Sequence, residues 1–355
     1  MPNSISQRIK LAARILLSKE TAALKGSANQ VFAAGAKARQ VPGITQEEVA
    51  EARQFFPMDK FFIFGHARSG TTMLARLIRL HPEVHCNHQA HFFTRPPLLE
   101  SLVRDEEVGA WLKRGSNRWN HGKDLSPVVL RAAADFIMER EARREGKRIV
   151  GDKSPNSLND GESVRLMHKV YPDGYLIYIV RDGRDTVISH RFQAFIEFPE
   201  RLSPEDQQIR RDFASDPEPF LHGGRSIFTE KAIQRAAEGW VRNMTETDQN
   251  GKELYGDHYY AIRYESLLEK PFEEMTRLWT FLGASPASPG LQEALVKEMQ
   301  QNPDADWQQQ KAKDIAQAIQ KGQQGSWREV LTARDKKIFH QVAADTLKAW
   351  GYEVE

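Results

Sequence analysis

The 355 residues, 40% hydrophobic and 28% charged, are enough for one large α/β domain or two small ones with a sizeable core. Fifty basic residues stand against 48 acidic ones, a net charge of +2. That balance argues against a nucleic-acid-binding surface spread over the domain but leaves room for a local basic pocket.

At the N-terminus, Ser4–Lys25 reads as a basic helix. Ile9, Ala12, Ala13, Leu16 and Leu17 share one face, with Arg8, Lys10, Arg14 and Lys19 around it. It could dock on the body or make a peripheral membrane contact. The segment lacks the continuous apolar stretch of a secretory signal, and no apolar run in the chain reaches the ~18 residues of a membrane span. Thr45 to Glu48 is a capping box opening a helix to Phe55. Residues 1–58 are therefore expected to form a helical extension, and 59–355 a single α/β domain.

The domain alternates strands and helices, as a mostly parallel sheet requires. The expected strands are Phe61–Phe64, Arg148–Val150, Tyr175–Val180 and Tyr259–Ile262. A helix over Met73–Leu80 follows the first. Residues 91–147 read as a helical insert. Residues 196–229, rich in Pro, Asp and Gly, read as a loop insert over the site. Helices are expected over Phe272–Leu282 and Ala333–Trp350, with Gly283 and Gly351 just past their ends. Cys86 is the single cysteine, so no intramolecular disulfide can form. It reads as a small core hydrophobe in a reducing, cytoplasmic compartment. Trp240 reads as core, His81 as a helix end, and His66 as either a loop filler or a contact to a nucleoside.

The densest chemistry lies at the expected strand ends, where open α/β sheets bind ligands. Gly65–Thr72 reads G-x-x-x-x-G-T-T between a strand and a helix, a phosphate cradle of backbone amides and a helix N-terminus. The P-loop of nucleoside triphosphatases needs Lys after the second Gly. Here that position is Thr71, and the cation is Arg68 inside the loop, whose fork matches two oxygens of a phosphate or sulfate. Ser69, Thr71 and Thr72 add hydroxyls. After the strand Tyr175–Val180 come Arg181 and, on the following helix, Ser189, placed for a second phosphate. Asp182 and Arg184 read better as a structural ion pair. Lys153, in Gly151–Pro155, points into the same crevice.

The pair GHARSGTT and IVRDGRDTVISHR resembles the two signature motifs of sulfotransferases that use 3′-phosphoadenosine 5′-phosphosulfate (PAPS). The Arg in R-S-G-T-T, followed by His81 to Cys86, is similar to the tyrosylprotein and carbohydrate-type branch. The resemblance covers roughly residues 60–352. It implies a three-layer, P-loop-like fold with a mostly parallel sheet between helices. Arg68, Ser69, Gly70, Thr71 and Thr72 would hold the 5′-phosphosulfate, and Arg181 and Ser189 the 3′-phosphate. Tyr264 would contact the adenine. Lys321 and Gly322, in the segment Lys321–Thr332, would close over the 3′-phosphate. Lys153 and Arg68 would stabilise developing charge. The expected reaction is in-line transfer of a sulfuryl group to a hydroxyl or amine, releasing 3′-phosphoadenosine 5′-phosphate (PAP), with no metal required in principle.

The pattern departs at the general base. Relatives carry Glu where this chain has Gln89. His88 is the first candidate to replace it and His91 the second. The acceptor could be a saccharide, a lipid or a small natural product, and the oligomeric state is not legible. Two alternatives stay open. One is a P-loop kinase-like phosphotransferase. The other is a non-catalytic PAPS- or PAP-binding protein.

Overall fold

The computed structural model describes residues 41–94, 98–113, 118–156, 160–301, 315 and 324–354. The chain divides into two compact units, 1–40 and 41–355. The basic segment Ser4–Lys25 falls outside the described residues, as do Lys321 and Gly322.

Among the described residues five strands form one sheet: β1 (Asp59–Phe64), β2 (Val84–His88), β3 (Ile149–Lys153), β4 (Tyr175–Val180) and β5 (Tyr259–Arg263). Their order is β2-β3-β1-β4-β5. All four pairings are parallel. Such a sheet must be covered on both faces. On one face Phe61, Ile63, Cys86, Ile149, Ile177 and Ile179 meet Leu74, Leu77, Ile78, Leu278 and Trp279. On the other, Phe62, Phe64, Val150, Leu176, Tyr178 and Val180 meet Leu130, Met138, Val164, Trp240 and Phe339. The result is the three-layer α/β arrangement expected, with β1 at its centre. The helix Gln46–Phe55 starts at the Thr45 capping box, and both of its reciprocal bonds are present.

Two sequence expectations need correction. Val84–His88 was not expected as a strand. Its five residues VHCNH include two histidines and an asparagine, so no strand periodicity is visible. It is an edge strand that exists because β3 offers a ladder. The span 196–229 is not mainly loop. The helix Gly183–Glu197 runs into it, and helices Pro204–Ser215 and Glu218–Leu221 follow. Ser203 caps the former, its hydroxyl accepting the Asp206 N–H at 3.1 Å, with Pro204 in the first turn. Phe213, packed against Phe192, Phe195 and Phe220, is fully buried. The Arg191 guanidinium, paired with Asp206, ties this insert to the helix before it.

Candidate active site

The carboxyl ends of β1, β3 and β4 open onto one crevice, and the motif residues converge there. After β1 the chain turns through His66–Gly70 into the helix Thr71–Ile78. Gly70, the N-cap, has φ +90° and supplies no side-chain cap, and no acidic residue stands in the first turn. The leading amides of this helix therefore stay open to an anion. Gly70 is also required sterically: an added Cβ would lie 2.4 Å from the Tyr264 ring. At Gly65 a Cβ would lie 2.7 Å from the Ile179 carbonyl. The loop is thus pressed against β4 and Tyr264.

Three cations face this turn. Arg68, itself at φ +75°, donates from Nε to the Ser189 hydroxyl at 3.2 Å. Arg181 donates to the Arg68 carbonyl at 3.1 Å, with its guanidinium 4.8 Å from the centroid of the Tyr264 ring. Lys153, buried at the end of β3, donates from Nζ to the Thr72 hydroxyl at 3.2 Å. Arg68, Thr72, Lys153, Arg181, Ser189, Gly70 and Tyr264 are therefore joined in one constellation. Ser69 and Thr71 are buried in the same turn. This donor set, cationic and lined by hydroxyls and free helix amides, fits a polyanion such as a phosphosulfate.

Asp182 and Arg184 form the structural ion pair expected of them, Nε to Oδ1 at 3.0 Å and Nη2 to Oδ2 at 2.8 Å. Arg184 also stacks 3.6 Å from the centroid of Trp327. His66 is buried, and its Nδ1 lies 2.8 Å from the Ala67 carbonyl, so it braces its own loop. Burial lowers its pKa.

The two candidate bases occupy different environments. His88 ends β2 directly opposite Lys153 in the ladder, and its ring is exposed. Partial burial of the side chain, then the charge of Lys153, lower its pKa, which favours the neutral imidazole. His91 is buried, its Nδ1 2.7 Å from the Thr94 hydroxyl. Gln89 is exposed between them, with φ +55°.

Several residues that shape the site were not singled out from the sequence. Asp152 alternates with Lys153 and faces the opposite side of β3. Asp185 accepts from the Gly325 N–H at 2.7 Å, the Ser326 hydroxyl at 2.9 Å and the Trp327 N–H at 3.0 Å. It thereby ties the C-terminal segment to the helix that carries Ser189. Glu265 accepts from the Asp182 N–H and the Tyr352 hydroxyl, both at 2.9 Å. Trp240, read from the sequence as core, packs there and also donates to the Arg181 carbonyl at 3.3 Å. The acidic residue two positions after Gly183 was the one visible signal, because a helix start favours acids. Its partners are 140 or more residues away and leave no local trace. Among the described residues, no group of three or more His, Cys, Asp or Glu side chains is placed to hold a metal. No described helix is long and apolar enough to cross a membrane.

Residues 60–289 match a family model described as "Sulfotransferase family". The chain is 30% identical over 132 residues to protein-tyrosine sulfotransferase A of Caenorhabditis elegans, covering 36% of this chain and 32% of that protein. It is 25% identical over 311 residues to nodulation protein NoeE of Sinorhizobium fredii, covering 82% and 65%. The chain thus spans from 32% to 65% of these relatives' lengths. Among solved structures it is similar to the sulfotransferase domain from the curacin biosynthetic pathway, at 14% identity and a TM-score of 0.47, covering 89% and 100%. Retinol dehydratase in a complex with retinol and PAP is similar at 16% identity and a TM-score of 0.42, covering 87% and 88%.

Proposed function

The chain belongs to the sulfotransferase family, and from that premise we propose that it moves the sulfuryl group of PAPS to an acceptor hydroxyl or amine by in-line displacement. The observation that carries the proposal is the convergence of Arg68, Lys153 and Arg181 on the uncapped N-terminus at Thr71. Bound PAPS would supply the transferable sulfuryl group and leave as PAP.

The chain's own work is placement and charge. The amides and hydroxyls from Arg68 to Thr72 would hold the 5′ end, and Arg181 with Ser189 the 3′-phosphate. Lys153 would face the oxygen on which negative charge grows, with Thr72 fixing its Nζ beforehand. Tyr264, wedged between Gly70 and Arg181, would border the adenosine. The helix N-terminus supplies further partial positive charge without any reorganisation. His88, whose neutral form is favoured beside Lys153, is suited to accept the acceptor's proton. His91, held by Thr94, is suited to support the loop rather than to exchange protons. Lys321 and Gly322 keep the role the resemblance implies, closing over the 3′-phosphate, and Asp185 would anchor the following residues.

The acceptor is proposed as a small molecule, saccharide or lipid. A tyrosyl hydroxyl belongs on the same panel, given the name of the nematode relative. A reducing, cytoplasmic setting is part of the proposal, since Cys86 is a buried free thiol.

A thermal-shift titration with PAP beside ATP plus magnesium tests the cofactor. Stabilisation by PAP alone supports the proposal. Stabilisation by ATP–magnesium alone overturns it in favour of a phosphotransferase. Turnover of PAPS against the acceptor panel then separates an enzyme from a binding protein.

A further inference from the structure

Three successive backbone amides turn toward one tripeptide. The Gln89 N–H donates to the Lys153 carbonyl at 2.7 Å. The Ala90 N–H donates to Asp152 Oδ1 at 3.0 Å, and the His91 N–H to Ser154 Oγ at 2.9 Å. The Ser154 hydroxyl in turn donates to Asp152 Oδ2 at 2.5 Å. The backbone reaches this geometry through φ +55° at Gln89 and +52° at His91. Neither is glycine, so each position stores strain that the surroundings must offset. The Asp152 carboxylate, 1% exposed, is the centre of this arrangement: it accepts from the Ala90 N–H directly and from the Ser154 hydroxyl, which itself receives the His91 N–H.

The location gives the clamp its meaning. Residues 89–91 continue directly from His88, which ends β2 beside Lys153. Asp152 and Ser154 flank Lys153 in sequence. Asp152 alternates with Lys153 and so lies on the side of the sheet away from Thr72, where its hydrogen bonds run to Ala90 and Ser154. It fixes the acceptor-side loop to the strand that carries the catalytic lysine.

Building on the sulfotransferase proposal, we infer that Asp152 and Ser154 are positioning residues that clamp residues 89–91 and thereby hold the His88 imidazole in register with Lys153 for the acceptor. Their effect is on acceptor geometry and the transfer step, and the cofactor site is independent of them.

The test compares full-length wild type with Asp152→Ala, Asp152→Asn and Ser154→Ala. Amide exchange is read by NMR at residues 89–91, PAP affinity by calorimetry, and kcat and KM with PAPS and the best acceptor of the panel. Loss of one clamping bond should speed exchange at Ala90 or His91 by about tenfold. Misplacing His88 should lower kcat by about 100-fold in Asp152→Ala, with PAP affinity within about twofold of wild type. Asp152→Asn keeps an oxygen for the Ala90 N–H and folds into the same volume, so it should lie between the two. Unchanged exchange at 89–91 in the alanine variants would overturn the clamp. So would a loss of turnover matched by an equal loss of PAP affinity. A wild type that binds no PAP would instead overturn the cofactor proposal, and with it the clamp's part in transfer, while the exchange data still decide whether the loop is held.

Discussion

Asp152→Asn should make the protein more stable at neutral pH and less active. The carboxyl is buried, which raises its pKa to about 6 from 3.8 against the opposing effects of the Ser154 hydroxyl, the Ala90 N–H and the Lys153 charge. A shift of about two units corresponds to ~3 kcal/mol. The sign follows from proton uptake. Between roughly pH 4 and 6 the folded state holds the proton more tightly than the unfolded state. The stabilising contribution is fully present below the unfolded value and is lost as pH rises through about 6. Above that pH the ionised carboxylate is a standing cost. Asparagine removes the ionisation, keeps an acceptor for Ala90, and loses the bond from Ser154, at about 1 kcal/mol. The variant should therefore be about 1 kcal/mol less stable than wild type near pH 4 and about 2 kcal/mol more stable near pH 8. Urea unfolding of both proteins at intervals from pH 4 to 8, with the difference in free energy plotted against pH, reads this directly. A difference that stays flat, or that runs the other way, would refute the argument that burial of Asp152 outweighs the groups that stabilise its charge. A gain in stability with a loss of turnover is the exchange expected where a charge is retained for function.

Four further outcomes are expected. Lys153→Ala should lower kcat by about 10²–10³-fold with a smaller change in PAP affinity, because the lysine is placed for developing charge; a fully active variant would remove it from the mechanism. Arg181→Ala should weaken PAP binding by about 10–100-fold, as loss of a charged hydrogen bond does, measured by calorimetry. His88→Ala should abolish the acid limb of the pH–rate profile. In wild type, activity should rise with pH through a midpoint below the ordinary imidazole value, since the base must be unprotonated and its pKa is lowered. Gly70→Ala should destabilise the fold by more than the ~1–2 kcal/mol of a left-handed residue, because its Cβ would also lie 2.4 Å from the Tyr264 ring; thermal unfolding with and without PAP would show both losses.

The sequence alone was sufficient wherever function and local structure use the same residues. Gly65–Thr72 had to be a strand–turn–helix cradle, because the apolar run, the two glycines and the hydroxyls each demand it. The displacement of the cation from Thr71 to Arg68 separated this loop from a triphosphatase's. Buried strands β1 and β4 announced themselves as unbroken apolar runs, and the Asp182–Arg184 pair was legible as two opposite charges just past the end of β4. Two kinds of feature were not legible. Val84–His88 has no strand pattern of its own and is a strand only because β3 presents an open edge. Pro204–Ser215 looked like loop because its polar face dominates, although Ser203 and Pro204 were there to signal a helix start. The remaining decisions were long-range. Which of His88 and His91 faces Lys153 depends on the β2–β3 register and on the clamp from Asp152 and Ser154. That Asp185 anchors Gly325–Trp327 depends on a contact across some 140 residues. Such partners are brought together by packing of the whole sheet, and hydrogen bonds between distant residues leave no periodicity or spacing in the chain that makes them.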